Sequence, residues 1–115
     1  MQDITIWHNP RCSKSRDALN YLEEKKIALS IIKYMDAKLT KEDIKEVLQM
    51  LGMGARSLMR TKEDIYKELN LKDENDEEKL IQALADNPKL IERPIVIKDG
   101  SAVIARPLEK IDELF

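Results

Sequence analysis

The segment from Asp3 to Tyr34 constrains this chain most, because it holds a strand, a helix and a second strand with little chain to spare. Asp3 to Trp7 alternates, with Ile4 and Ile6 facing one way, and reads as a short strand. Asn9-Pro10 breaks it. Ser13 to Lys25 reads as a helix with Ala18, Leu19 and Leu22 on its inner face. Ala28 to Tyr34 is β-branched and apolar, as expected of a buried second strand. A β-α-β unit this compact joins parallel strands through its helix.

The middle of the chain is helical. Thr40 followed by Asp43 resembles a capping box, Ile44, Val47, Leu48 and Leu51 keep helical spacing, and Gly52 is a natural stop. Ala55 to Leu71 reads as helical but broken, and Lys72 to Glu78 as a charged surface segment. Asp76 or a neighbour opens a further helix carrying Leu80, Ile81 and Leu84, which ends near Asn87-Pro88. The apolar stripes of this region read as core. The period then changes. Arg93 to Ile97 reads as a strand, Asp99-Gly100 as a two-residue hairpin turn, and Ala102 to Ala105 as the return strand. Pro107 to Phe115 is a last short helix, with Pro107 suited to its first turn. The order is β-α-β, a helical insert at about 40–88, then β-β-α. An α/β, thioredoxin-like fold with an all-helical insertion, one domain over residues 1–115, fits it best.

Composition narrows the function. With 20 basic and 22 acidic residues the net charge is -2, which argues against a general nucleic-acid binder. No apolar run approaches the roughly 20 residues of a bilayer span, and Met1 to His8 lacks the features of a secretory signal. The single cysteine excludes an internal disulfide, a CxxC pair and a multi-cysteine zinc site. With one His beside it, metal ligation is not expected, and reducing cytoplasm is the expected location.

That cysteine, Cys12, falls where the first strand's loop runs into the first helix. The N–H groups of Ser13, Lys14 and Ser15 would be unpaired there and aimed at the sulfur, an arrangement that lowers a thiol pKa. The same donors suit an incoming oxyanion. Arg11, Lys14, Arg16 and His8 add nearby positive charge. The alternative is a buried, inert cysteine. His8 either lowers the Cys12 pKa as an imidazolium or simply hydrogen-bonds the loop. Lys14 either charges the site or lies in solvent, the usual fate of a lysine. Ser15 stands where a dithiol protein would carry its second cysteine, so an outside thiol must complete any electron transfer. Arg93 and Arg106 both precede proline, which biases each toward extended backbone at an element boundary. An arginine fork suits a tetrahedral oxyanion, although each arginine could equally form an ordinary surface ion pair.

The run His8-Asn9-Pro10-Arg11-Cys12-Ser13-Lys14-Ser15-Arg16 resembles the H-N-P-x-C-x-x-S-R signature of glutathione/glutaredoxin-coupled arsenate reductases. Arg56-Ser57-Leu58-Met59-Arg60, Leu90-Ile91-Glu92-Arg93-Pro94-Ile95-Val96 and Ala105-Arg106-Pro107 are similar to three further segments of that family, in order and spacing. Trp7, where an aromatic such as Tyr is familiar, and Ser13-Lys14, in place of smaller residues, are minor departures. The resemblance implies that Cys12 is the nucleophile toward arsenate and that Arg60, Arg93 and Arg106 bind the oxyanion. It implies that His8 tunes the thiolate and Ser15 hydrogen-bonds it. It leaves Arg56 as a structural or surface charge and makes Pro94 the candidate for the cis-proline of thioredoxin-like folds.

The activity implied is reduction of arsenate to arsenite, as in arsenic detoxification. Cys12 would attack arsenic, glutathione as co-substrate would form a mixed disulfide on Cys12, and glutaredoxin would restore the thiol. No bound cofactor or metal is required, and a monomer is expected, with arsenate, glutathione and glutaredoxin as partners rather than nucleic acid or membrane. Two other readings share the fold. One is a transcriptional-regulator-like binding module, which typically uses the CxxC switch that Ser15 denies here. The other is a general glutathione-dependent disulfide reductase, for which the arginine set would have no evident purpose.

Overall fold

The computed structural model describes residues 4–25, 29–36, 38–106 and 108–115. The expected strand starts at Asp3 and Ala28 and the expected role of Pro107 lie outside the described residues. Two compact units emerge, residues 1–37 with 93–115, and residues 38–92.

In the first unit, strand β1 (Ile4–Trp7) leads into helix α1 (Ser13–Glu24), which returns to strand β2 (Leu29–Ile32). β1 and β2 are parallel, with Ile4 opposite Leu29 and Trp7 opposite Ile32. Strand β3 (Ile95–Lys98) runs antiparallel to β1, with Trp7 opposite Ile95, and strand β4 (Ser101–Ile104) runs antiparallel to β3. The sheet order is β2-β1-β3-β4. Asp99 and Gly100 join β3 to β4 with φ of 51° and 82°. Positive φ at both central residues matches the right-handed twist of the two strands, and Gly carries the larger value without a Cβ penalty. A 3₁₀ helix, Leu108–Leu114, closes the chain. Ile4, Ile6 and Val96 of the sheet, Ala18 and Leu22 of α1, Ala105 and Ile111 form its core. Alternation along β1 and helical spacing along α1 together create that layer.

One strand expectation needs correction. β2 is not buried: it is an edge strand, with Ile31 46% and Ile32 36% exposed. It also ends at Ile32 rather than Tyr34. Apolar, β-branched residues report strand propensity, and the same run suits an edge as well as a central position.

The second unit is helical. Helix α2 (Lys41–Leu51) begins with a complete capping box, in which the Thr40 side chain accepts from Asp43 N–H and the Asp43 carboxylate from Thr40 N–H. It ends at Gly52 in the left-handed conformation. Two short helices follow, α3 (Ala55–Leu58) and α4 (Asp64–Glu68), then a 3₁₀ turn at Leu71–Asp73. Helix α5 (Glu77–Asp86) is capped by Asp76 and gives way to a 3₁₀ turn, Pro88–Leu90. Ile44, Val47 and Leu48 of α2 and Leu80, Ile81 and Leu84 of α5 are buried. Arg56 donates to the carbonyls of Leu71 and Glu74, so this guanidinium ties the unit's own backbone. No helix among the described residues is long and apolar enough to cross a membrane.

Candidate active site

The β1–α1 junction is built to present a sulfur. His8 N–H donates to Ile32 O at 2.7 Å, extending the β1–β2 ladder by one residue and fixing the direction in which the chain leaves the sheet. Asn9-Pro10 then turns it. Asn9 Oδ1 accepts from Arg11 N–H at 3.0 Å and Asn9 O from Cys12 N–H at 3.0 Å. Such local Asn bonds substitute for regular structure in a tight turn. Cys12 itself is the N-cap of α1, in extended conformation, and its carbonyl accepts the first helical bond from Arg16 N–H.

An N-cap side chain faces the free N–H groups of the first turn, the place usually taken by a serine or aspartate oxygen. Cys12 puts a thiol there. The neutral side chain makes no cap hydrogen bond, but the charged form gains several partners. Burial pushes the Cys12 pKa up; the N–H of Ser15, the Arg93 guanidinium and the N–H of Lys14 outweigh it, and the net shift is downward.

Arg93 reaches this site from the strand side. It is half-buried and precedes the cis Arg93–Pro94 bond, and Pro94 is the cis-proline anticipated in the sequence. Pro94 O accepts from Ala105 N–H at 2.9 Å, which ties the segment to the end of β4. Arg106 follows directly, exposed at the rim of a cleft of about 430 Å³ lined by Lys14, Asp17, Ala105, Arg106, Leu108 and Glu109. Lys14 therefore serves twice: its N–H acts on the thiolate, and its exposed side chain borders this cleft.

His8 and Ser15 form a separate, buried pair. His8 Nδ1 lies 2.7 Å from Ser15 Oγ, and Ser15 Oγ accepts from Asn9 N–H at 2.9 Å. The His8 pKa is lowered, first by burial and then by Lys33 and Arg16, against the opposing effect of its bond with Ser15. The shift is away from the imidazolium, and the ring takes part in the hydrogen bonding of the loop. Ser15 acts on Cys12 through its main-chain N–H, while its hydroxyl is occupied with His8 and Asn9.

Cys12, His8, Ser15, Arg93 and Arg106 thus belong to the first unit, with Arg93 in direct interaction with the thiol. Arg60 belongs to the helical unit, in the segment after α3, where its N–H donates to Leu90 O at 2.7 Å. Its guanidinium forms an ion pair with Glu63. The sequence reading passed over Glu63, although opposite charges three residues apart were a visible signal. It passed over Asp17 and Glu109 as well, whose meeting at one cleft depends on the tertiary fold.

The ArsC family model matches residues 7–114. The arsenate reductase of Neisseria meningitidis is 49% identical over 114 residues, covering 97% of each chain. The uncharacterized protein YfgD of Escherichia coli is 50% identical over 115 residues, covering 98% of this chain and 97% of that one. Among solved structures, the arsenate reductase from Vibrio cholerae superposes with a TM-score of 0.95 at 45% identity, covering 99% of this chain and 98% of that one. A family match over nearly the whole chain, joined to a thioredoxin-like sheet that carries the cysteine at its first strand–helix junction, establishes that this chain belongs to the ArsC family.

Proposed function

We propose that the chain is an arsenate reductase that converts arsenate to arsenite with glutathione and glutaredoxin as reductants. The observation that carries this reading is Cys12 at the N-cap of α1 with Arg93 interacting with its sulfur, in a chain 49% identical to an arsenate reductase. The Cys12 thiolate attacks As(V), forming an S–As bond as one oxygen leaves as water. Arg93, and by family resemblance Arg60 and Arg106, balance the charge on the remaining oxygens. Glutathione then attacks. Arsenic takes two electrons and leaves as arsenite, and the two sulfurs, each oxidised by one electron, join as a Cys12–glutathione disulfide. Glutaredoxin thiolate removes the glutathionyl group and returns Cys12 to the thiol.

The cleft beside α1 supports glutathione as the second thiol. Lys14 offers a cation to its carboxylates, and Asp17 and Glu109 offer anions to its ammonium group. No metal or bound organic cofactor enters this scheme. The enzyme works as a monomer and a single domain, in the cytoplasm, where a lone thiol stays reduced.

Arsenate-dependent NADPH oxidation, coupled through glutathione, glutaredoxin and glutathione reductase, tests the reading. Wild type should turn over, Cys12→Ser should be inactive, and Arg60→Ala should show a KM for arsenate raised at least tenfold. A folded wild type without turnover, whose Cys12 still alkylates rapidly, would replace arsenate with disulfide substrates.

A further inference from the structure

Arg60 is not held out as an empty anion receptor. Its guanidinium is already engaged by Glu63, and both side chains are largely withdrawn from water, at 26% and 29% exposure. The backbone builds this pair in. Arg60 N–H is anchored on Leu90 O at 2.7 Å, Glu63 N–H donates to Arg60 O at 3.1 Å, and Tyr66 N–H donates to Glu63 O at 3.1 Å. The two residues are thus fixed at either end of one tight turn.

The position of Glu63 makes this orientation informative. It is the N-cap residue of the short helix α4, directly after the turn that holds Arg60. It makes no cap hydrogen bond and goes to Arg60 instead. It also borders an open cleft of about 420 Å³, where Lys89 stands among Asp64, Glu68 and Asp86.

We propose that Glu63 is a built-in competitor for the oxyanion at Arg60, a residue that sets substrate affinity by occupying the guanidinium until an anion displaces it. This inference rests on the assignment of Arg60 as an anion ligand. A carboxylate and a tetrahedral oxyanion seek the same planar fork of donors. Binding therefore exchanges one ion pair for another, and the affinity of any oxyanion falls by the strength of the pair given up. Arsenate and phosphate carry nearly the same charge and shape, so the same factor applies to both.

The test is Glu63→Gln, which keeps the side chain's size and removes its charge, with Glu63→Asp as the conservative variant. The expected result is a KM for arsenate lower by about two- to fivefold, the range of partly exposed ion pairs. The inhibition constant of phosphate should fall by the same factor. kcat should change by less than KM, Glu63→Asp should lie between wild type and Glu63→Gln, and circular dichroism should show the variants folded. In an Arg60→Ala background Glu63→Gln should have no further effect on KM. If Arg60→Ala raises KM while Glu63→Gln leaves it unchanged or raises it, Glu63 orients Arg60 rather than competing for it, and the proposal is overturned while the anion assignment stands. If Arg60→Ala leaves KM for arsenate unchanged, the assignment of Arg60 fails and the proposal falls with it.

Discussion

A thiol, a histidine and a serine within eight residues invite a charge-relay interpretation, but the hydrogen bonds join His8 to Ser15 and Ser15 to Asn9. His8 is 5% exposed and Ser15 fully buried, and they satisfy each other and Asn9 N–H. A lost partner in such a pair leaves a buried polar atom unmet, which costs about 1–3 kcal/mol. Their contribution is to hold the loop, while the charge that favours the thiolate comes from Arg93 and the N–H groups of Ser15 and Lys14. The Cys12 pKa lies below its ordinary value, so the thiolate fraction, and with it the alkylation rate, should rise through a midpoint lower than that of a free thiol as pH increases. Arg93→Ala removes a hydrogen bond and a nearby positive charge from the ionised form and should move that midpoint up, so that the variant alkylates more slowly than wild type at neutral pH. Initial rates of iodoacetamide modification across pH, read by mass spectrometry, measure both midpoints. Equal midpoints would mean that Arg93 touches the sulfur without tuning it. The position of Cys12 was legible in the sequence, because the change from strand alternation to helical spacing marks the junction it occupies. The direction of the His8 shift was not, because burial is its first cause and burial belongs to the fold.

At the scale of elements, the devices written in neighbouring residues were the most legible. Thr40 and Asp43 form the expected capping box, and each satisfies an N–H that the helix leaves free. Thr40→Ala should therefore lower the unfolding free energy by about 1 kcal/mol in a urea titration followed by circular dichroism. A loss below about 0.3 kcal/mol would show that solvent replaces the cap at no cost. The Asp99-Gly100 turn and the Gly52 stop are local in the same sense, since each depends on positive φ at a residue that tolerates it. The broken helical stretch after Gly54 was expected as broken, and it divides into α3, α4 and a 3₁₀ turn. β2 was misread because its Ile31 and Ile32 carry no record of how many strands flank them. Sheet order arises from crossovers and long-range pairing, and the edge position of β2 could be read only once β1 was seen to pair with β3 on its other side.

At the scale of the whole molecule, one cysteine in 115 residues fixes the stoichiometry of the chemistry. Reduction of As(V) to As(III) takes two electrons, and a single thiol oxidised to one half of a disulfide supplies one. The chain therefore cannot complete a cycle from its own residues, whatever the arrangement of its arginines. An enzyme with a second cysteine could close an internal disulfide and release arsenite before any partner arrived. On the proposed route, release of arsenite coincides with capture of an external thiol on Cys12. Mixing the protein with excess arsenate and glutathione, without glutaredoxin, should therefore yield one arsenite and one glutathione adduct per chain and then stall, apart from slow exchange with free glutathione. Adding reduced glutaredoxin should discharge the adduct and restart turnover. Intact-protein mass spectrometry follows the adduct, and arsenic speciation by chromatography follows the product. Arsenite released in equal yield without glutathione would mean that Cys12 gave up both electrons as a sulfenic acid, and would overturn the scheme in which glutathione captures Cys12. An adduct that free glutathione discharges as fast as glutaredoxin does would keep the scheme and remove glutaredoxin from it. The outcome turns on the exposure of the mixed disulfide to a second attacking thiol. Cys12 is only partly buried, at the N-cap of α1, and this favours direct access by a folded redox partner.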